Sequence, residues 1–221
     1  MSNPNSSPHK TANPRTIYLT LYNLLLASLW LTLLLRTLTH YLQNTPPQAL
    51  FASVSPLARY TQTLTLLEPL HCATGLVKAP FRTTAIQVFT RVIQVWMIWY
   101  CFPTTTGSSP AFGVLMCAWA AADVVRYFYL TLNMWGKAGR EIVWLRYSMF
   151  IVLYPVGIGA EWWLMYRSVE AVGRVSRVSR VGEGVWWFLL ALYGPGAYTM
   201  FTYMVRQRRK VLGRGGGQKS A

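Results

Sequence analysis

Residues 17–38 read IYLTLYNLLLASLWLTLLLRTL, with Arg36 as the one charged side chain. A helix that crosses a bilayer needs about 20 mostly apolar residues, because hydrocarbon offers its backbone no hydrogen-bond partner. This stretch meets that requirement by itself. Five further stretches approach it at about Tyr60–Val77, Thr83–Phe102, Pro110–Leu132, Ile142–Tyr166 and Val185–Val205. The last is expected to be interrupted by Gly194-Pro195-Gly196. Loops are short and rich in breakers, as at Pro46-Pro47, and Ala49–Leu57 is expected to form a short interfacial helix. The fold expected is therefore all-α, a polytopic membrane bundle of six transmembrane helices.

Composition agrees. Of 221 residues, 53% are hydrophobic and only 12% charged, about half the charged share of soluble domains. Residues 1–14 are polar and hold three prolines, with no apolar core of a cleavable signal peptide. They are expected to form a disordered cytosolic N-terminus. Residues 212–221 are expected to form a flexible cytosolic tail, around the glycine run at 215–217. Cys72, Cys101 and Cys117 have no spacing that suggests disulfides or a zinc site, and no metal is expected.

The net charge of +15 comes from 21 Lys and Arg against 6 Asp and Glu. The cations flank apolar segments and form no single stripe with interleaved aromatics, so a nucleic-acid partner is not expected and the lipid bilayer is. Six spans put both termini on one side. With the termini inside, the cytosolic set is Lys10, Arg15, Lys78, Arg82, Lys137, Arg140, Arg206, Arg208, Arg209, Lys210, Arg214 and Lys219. The outer set is Arg36, Arg59, Arg167, Arg174, Arg177 and Arg180. Twelve against six favours cytosolic termini, although the Arg174-Arg177-Arg180 run opposes the bias.

The charges within spans carry the chemistry. Glu68, Asp123 and Glu161, three of only six carboxylates, fall in apolar segments, as do Arg91, Arg126 and Arg146. Each such group costs about 2.5–3.5 kcal/mol at a helix centre on insertion scales, so it must face the bundle interior and pair. Mutual ion pairs holding helices together are one reading. A polar site between helices is the other. The fifth span is the most informative: Tyr154 and Glu161 are seven residues apart, which places them on one helical face with a rise of about 10.5 Å. Between them Pro155 removes a backbone donor and is expected to kink the helix, while Gly157 and Gly159 permit close approach of a neighbour or a substrate. The string His71-Cys72-Ala-Thr-Gly75-Leu-Val-Lys78 imitates the His-Cys-x5-Arg loop of tyrosine phosphatases. It ends an apolar run, however, and has lysine where that chemistry needs the arginine fork, so phosphatase activity is not expected.

Six strings in order resemble one family. They are Tyr18-x-x-x-Tyr22-Asn23; Leu67-Glu68-x-x-His71-x-x-x-Gly75; Gln87-x-x-Thr90-Arg91; Trp119-x-x-x-Asp123-x-x-Arg126-Tyr127; Arg146-Tyr147 with Tyr154-Pro155-x-Gly157-x-x-x-Glu161; and Pro195-Gly196 with Gln207-Arg208-Arg209-Lys210. Together they resemble the membrane-embedded very-long-chain (3R)-3-hydroxyacyl-CoA dehydratases, also called protein-tyrosine-phosphatase-like proteins. The likeness covers about residues 15–211, making that stretch the six-helix dehydratase domain. It departs at Asp123 and Thr90, where the family usually has Glu and Ser. The resemblance implies an endoplasmic-reticulum enzyme that converts a (3R)-3-hydroxyacyl-CoA to the trans-2-enoyl-CoA, the third step of the elongation cycle, with no cofactor. It implies Tyr154 and Glu161 as the catalytic pair, and other elongation-cycle membrane enzymes as partners.

Dehydration needs one group to take the C2 proton and one to protonate the leaving hydroxyl. Which of Tyr154 and Glu161 does which is open. A cation such as Arg126 or Arg146 beside Tyr154 would favour the tyrosine as base. Glu68, His71, Arg91, Asp123, Arg126, Tyr127 and Arg146 are expected to be structural or supporting polar residues. Lys78, Arg82, Lys137 and Arg140 are candidates for holding the acidic CoA head, or serve topology alone. A non-catalytic scaffold or lipid-handling protein of the same fold is the alternative function, and the presence of both Tyr154 and Glu161 speaks against it. The charge bias predicts that epitope tags at both ends are digested by protease added to sealed microsomes; protection of either tag would overturn the six-span arrangement.

Overall fold

The computed structural model describes residues 13–174 and 179–214, which are helical apart from the turns and short connections between helices. In chain order the helices are α1 (Pro14–Leu42), α2 (Pro47–Leu64), α3 (Leu67–Ala73), α4 (Phe81–Ile93), α5 (Pro103–Gly107), α6 (Ala111–Met134), α7 (Arg140–Ser148), α8 (Phe150–Arg174) and α9 (Ser179–Arg214). A π-helical stretch, Gln94–Tyr100, continues α4. Prolines set several of the starts. Pro14, Pro47 and Pro103 stand in the first turns of their helices, where the missing N–H costs nothing. The Asn13 side chain caps α1 by accepting from the Arg15 amide at 3.1 Å.

Three segments among the described residues are long and apolar enough to cross a membrane: Pro14–Leu42, Ala111–Met134 and Arg140–Gly173. They correspond to the first, fourth and fifth expected spans. The outer surface is apolar as well. Leu21, Leu25 and Leu35 on α1, Val152 on α8 and Phe188 on α9 are exposed large hydrophobics, a pattern that marks a membrane or interaction face.

Several expected boundaries differ. Ala49–Leu57 is no separate interfacial helix: it is the first half of α2, which runs unbroken through Pro56. The second expected span, Tyr60–Val77, is instead divided at Thr65-Leu66 between α2 and α3, and helix ends at Ala73. There the Gln62 Nε2 donates to Thr65 Oγ1 at 2.7 Å, and that hydroxyl donates to the Gln62 main-chain carbonyl at 2.6 Å. The sixth span is not interrupted at Gly194-Pro195-Gly196, because α9 continues through them for 36 residues. In the fifth, the helical pattern breaks at Met149, between α7 and α8, while Pro155 sits inside α8. Helix begins at Pro14 and ends at Arg214. The remainder of the two expected tails lies outside the described residues, as do the side chains of the Arg174-Arg177-Arg180 run.

α6 is the central element and packs against both α1 and α8, and α9 packs along α8. The core gathers Trp30, Trp99, Phe112, Leu115, Met116 and Trp119. Trp99 meets Phe112 edge-on at 5.1 Å and Trp119 at 5.4 Å. It is fully buried, so truncation would empty a large volume that rigid helices cannot refill. Trp99→Ala is expected to destabilise the detergent-solubilised protein by about 3–5 kcal/mol, read as a lowered Tm; an unchanged Tm would contradict this packing.

Candidate active site

The six ionisable residues expected within spans distribute themselves unequally. Five of them form one belt across the bundle. On α3, the buried Glu68 carboxylate accepts from Arg126 and from the hydroxyl of Tyr127, both on α6. Arg126 Nη1 also lies 3.7 Å from Asp123 Oδ1 one turn earlier. Asp123 Oδ2 in turn pairs at 2.6 Å with Arg91 Nη1 of α4. The Arg91 guanidinium lies 4.0 Å from the ring centroid of Trp119 and 5.2 Å from that of Trp30, positions that favour cation–π attraction. The Trp119 Nε1–H then donates to Glu161 Oε1 of α8 at 2.6 Å. The Tyr193 hydroxyl of α9 donates to the other carboxylate oxygen, Oε2, at 3.0 Å.

The belt thus joins α3, α4, α6, α8 and α9, and it follows from helical spacing. Trp119, Asp123, Arg126 and Tyr127 recur at four- and three-residue intervals, so α6 turns all of them toward one side. Asp123, Glu68 and Glu161 are buried at 3%, 8% and 8% relative exposure, a burial tolerable only because each has partners. Gly157 lies opposite Trp119, where an added Cβ would stand 3.9 Å from that ring. Ordinary contact of this kind does not require glycine. At Gly159 an added Cβ would meet open space.

Tyr154 is half-buried on the side of α8 turned to α9. Its hydroxyl donates to the Ala197 carbonyl at 3.4 Å, and its ring lies 6.1 Å from that of Phe201. The α9 partners of Tyr154 and Glu161, Ala197 and Tyr193, are one helical turn apart. The expected arginine beside Tyr154 is otherwise engaged: Arg126 is held by Glu68 and Asp123, and Arg146 lies over the ring of Tyr147 at 5.7 Å. Arg146, the sixth ionisable residue, lies near enough to Arg126 and Asp123 to feel their charges but forms no ion pair with Asp123. It lies in the last turn of α7, before the break at Met149.

His71 packs edge-on against Tyr18 and Tyr22, and its Nε2 shares a 2.9 Å hydrogen bond with the Tyr18 hydroxyl. The amides that a phosphatase loop would aim at phosphate are consumed internally. Those of Thr74, Gly75 and Val77 donate to the carbonyls of Leu70, Cys72 and His71, and Cys72 lies within α3. Lys78, Arg82, Lys137 and Arg140 all sit on or beside the α3–α4 and α6–α7 connections. Arg15 reaches the Gly75 carbonyl at 3.4 Å and Trp135 donates to Thr20 at 3.0 Å, tying both connections to the start of α1 at one end of the bundle.

Nothing in the sequence singles out Tyr193, and Trp119 carries no role there beyond its place in the family string. The usable signal for Trp119 is its place one turn before Asp123. Tyr193 offers only its position beside Gly194-Pro195-Gly196.

Residues 62–214 match the family described as protein tyrosine phosphatase-like protein, PTPLA. The chain belongs to this family. It is 34% identical, over 92% of its own length and 96% of the relative's, to a Schizosaccharomyces pombe protein named as a probable very-long-chain (3R)-3-hydroxyacyl-CoA dehydratase. It is 32% identical to the Caenorhabditis elegans very-long-chain (3R)-3-hydroxyacyl-CoA dehydratase hpo-8, over 91% and 97% of the two chains. The Mus musculus very-long-chain (3R)-3-hydroxyacyl-CoA dehydratase 1 is 30% identical, over 89% and 73%. No solved structure matches the chain.

Within this family member, the belt predicts an asymmetry between single and paired substitutions. Arg126→Met alone strands Glu68 and is expected to cost about 3–5 kcal/mol. Adding Glu68→Gln should recover part of that loss. Thermal unfolding of the three variants checks this, and strictly additive losses would remove the ion pair from the account.

Proposed function

We propose that this chain is a membrane-embedded hydro-lyase that removes water from a (3R)-3-hydroxyacyl-CoA to give the trans-2-enoyl-CoA, with Tyr154 and Glu161 as the reacting pair. The C2–H bond breaks and its electron pair becomes the C2=C3 double bond. The C3–O bond breaks, and the hydroxyl leaves with a proton as water. One proton is therefore taken and one given in each turnover, so two positioned proton-carrying groups suffice. The names of relatives that span nearly the whole chain support the activity. The observation that carries the site is a buried carboxylate, Glu161, one helical face from a phenol, Tyr154, with both directed toward α9. A carboxyl group in a water-poor site can donate or accept a proton near neutral pH.

The proposed arrangement has six crossings, made by α1, by α2 with α3, by α4 with its π-helical extension, by α6, by α7 with α8, and by α9. The apolar outer surface supports it. Both termini would face the cytosol from the endoplasmic-reticulum membrane. Lys78, Arg82, Lys137 and Arg140, gathered at the end where α1 begins, would meet the phosphates of CoA there, and the acyl chain would lie among apolar side chains of the bundle. Product this insoluble is best passed directly to a neighbour, so other membrane enzymes of fatty-acid elongation are the proposed partners.

Tyr154→Phe removes one hydroxyl, and Glu161→Gln removes one ionisable proton while keeping shape. Each is expected to lower kcat by about 100-fold or more, the scale of a general acid or base, with Tm little changed. The double variant should be little worse than the worse single one, because groups acting in one step are non-additive. Near-normal turnover by a well-folded Tyr154→Phe protein would sink the catalytic assignment.

A further inference from the structure

Taking Glu161 as a proton-carrying group of the proposed reaction, we infer that Tyr193 is the positioning residue that follows the protonation state of Glu161, and that the proton is exchanged at Oε2. The two carboxylate oxygens are held by chemically different partners. Oε1 accepts at 2.6 Å from the indole Nε1–H of Trp119. An indole nitrogen donates and cannot accept. A proton placed on Oε1 would find no acceptor in Trp119, whereas one on Oε2 finds the Tyr193 hydroxyl. The indole cannot readily turn away, because Trp119 is buried with its ring under the Arg91 guanidinium at 4.0 Å, and Arg91 is itself fixed by Asp123 at 2.6 Å.

Oε2 is different. Its partner at 3.0 Å is the Tyr193 hydroxyl, which both donates and accepts and whose hydrogen rotates. Facing the carboxylate, Tyr193 donates. Facing the carboxylic acid, its oxygen accepts from the Oε2–H and its own hydrogen turns elsewhere. With the proton on Oε2, Oε1 still accepts from Trp119, so both states of Glu161 keep their hydrogen bonds. A buried carboxyl that must change state in each cycle needs such an adaptable partner, since a buried polar hydrogen without an acceptor is costly. Tyr193 is also well placed for this on α9: the carbonyl one turn further on, at Ala197, receives the Tyr154 hydroxyl.

The experiment compares purified full-length wild type, Tyr193→Phe, Glu161→Gln and the Tyr193→Phe/Glu161→Gln double variant on (3R)-3-hydroxyacyl-CoA. It measures kcat, KM and Tm. Tyr193→Phe is expected to lose about 10- to 100-fold in kcat, the scale of one hydrogen bond to a charged group, with KM unchanged and Tm lowered only modestly, since Trp119 still holds Oε1. The double variant should match Glu161→Gln, because Tyr193 acts only through that carboxylate. Wild-type kcat in Tyr193→Phe beside an inactive Glu161→Gln overturns this inference and leaves the proposed reaction standing. An additive double variant also overturns it. Wild-type kcat in Glu161→Gln overturns the catalytic reading of Glu161 itself. If Tyr193→Phe does not fold, difluorotyrosine at position 193 keeps the ring and the hydroxyl while changing its acidity. The pH profile of kcat should then move, and an unmoved profile counts against Tyr193.

Discussion

Arg91 holds Asp123 at 2.6 Å and covers the ring of Trp119 at 4.0 Å, and Trp119 holds Glu161. Through that one guanidinium, the ion pairs around Glu68 and Arg126 connect to the carboxylate on α8. The constraint behind it is general. A charge in a water-poor interior must be paired and hydrogen-bonded, and a half-satisfied network is worse than none. Four side chains of α6 supply the middle of the belt, so the other helices must arrive in a fixed register. α3 brings Glu68, α4 brings Arg91, α8 brings Glu161 and α9 brings Tyr193. An apolar core alone tolerates sliding, because Trp, Leu and Met contacts are non-directional. Charge-assisted hydrogen bonds are directional, and they select one alignment.

The same constraint separates two jobs along the belt. At the α3 end each carboxylate is paired with a cation: Glu68 with Arg126, and Asp123 with both arginines. That end fixes the bundle. At the α8 end Glu161 is held by two neutral donors, the Trp119 indole and the Tyr193 hydroxyl, and forms no ion pair among the described residues. A buried carboxyl with no cation paired to it is the one free to change its protonation state. This asymmetry is why the mutual-pairing reading suits Glu68, Asp123 and Arg126, and the chemical reading suits Glu161.

Much of this was legible in the sequence. Residues 17–38 announced a spanning helix because hydropathy at that length has one physical solution. Glu68, Asp123, Arg91 and Arg126 announced pairing because unpaired charge there is too costly. The Tyr154–Glu161 spacing placed both on one helical face. What the sequence hid depends on contacts between distant segments. The role of Trp119 requires Glu161, 42 positions later, to face it. Tyr193 is one aromatic among many until α8 packs against α9. Helix breaks are hidden for the same reason. Gly194-Pro195-Gly196 reads as a disruption by local propensity, yet α9 runs through it, whereas the division at Thr65-Leu66 rests on side-chain hydrogen bonds that no periodicity encodes. Arg146 falls in an apolar stretch like the other five, and the break at Met149 sets it on a different helix from Glu161.

The central claim is that this buried carboxylate and phenol serve the elimination of water rather than packing alone. The most direct measurement follows product formation by the purified wild-type chain in detergent or bilayers, given the 3R and 3S forms of a long-chain 3-hydroxyacyl-CoA separately. The account predicts steady conversion of the 3R form to the trans-2-enoyl-CoA and little of the 3S form, because a fixed pair of proton-carrying groups matches one hand of the substrate. Folded protein that leaves both forms unchanged would contradict it.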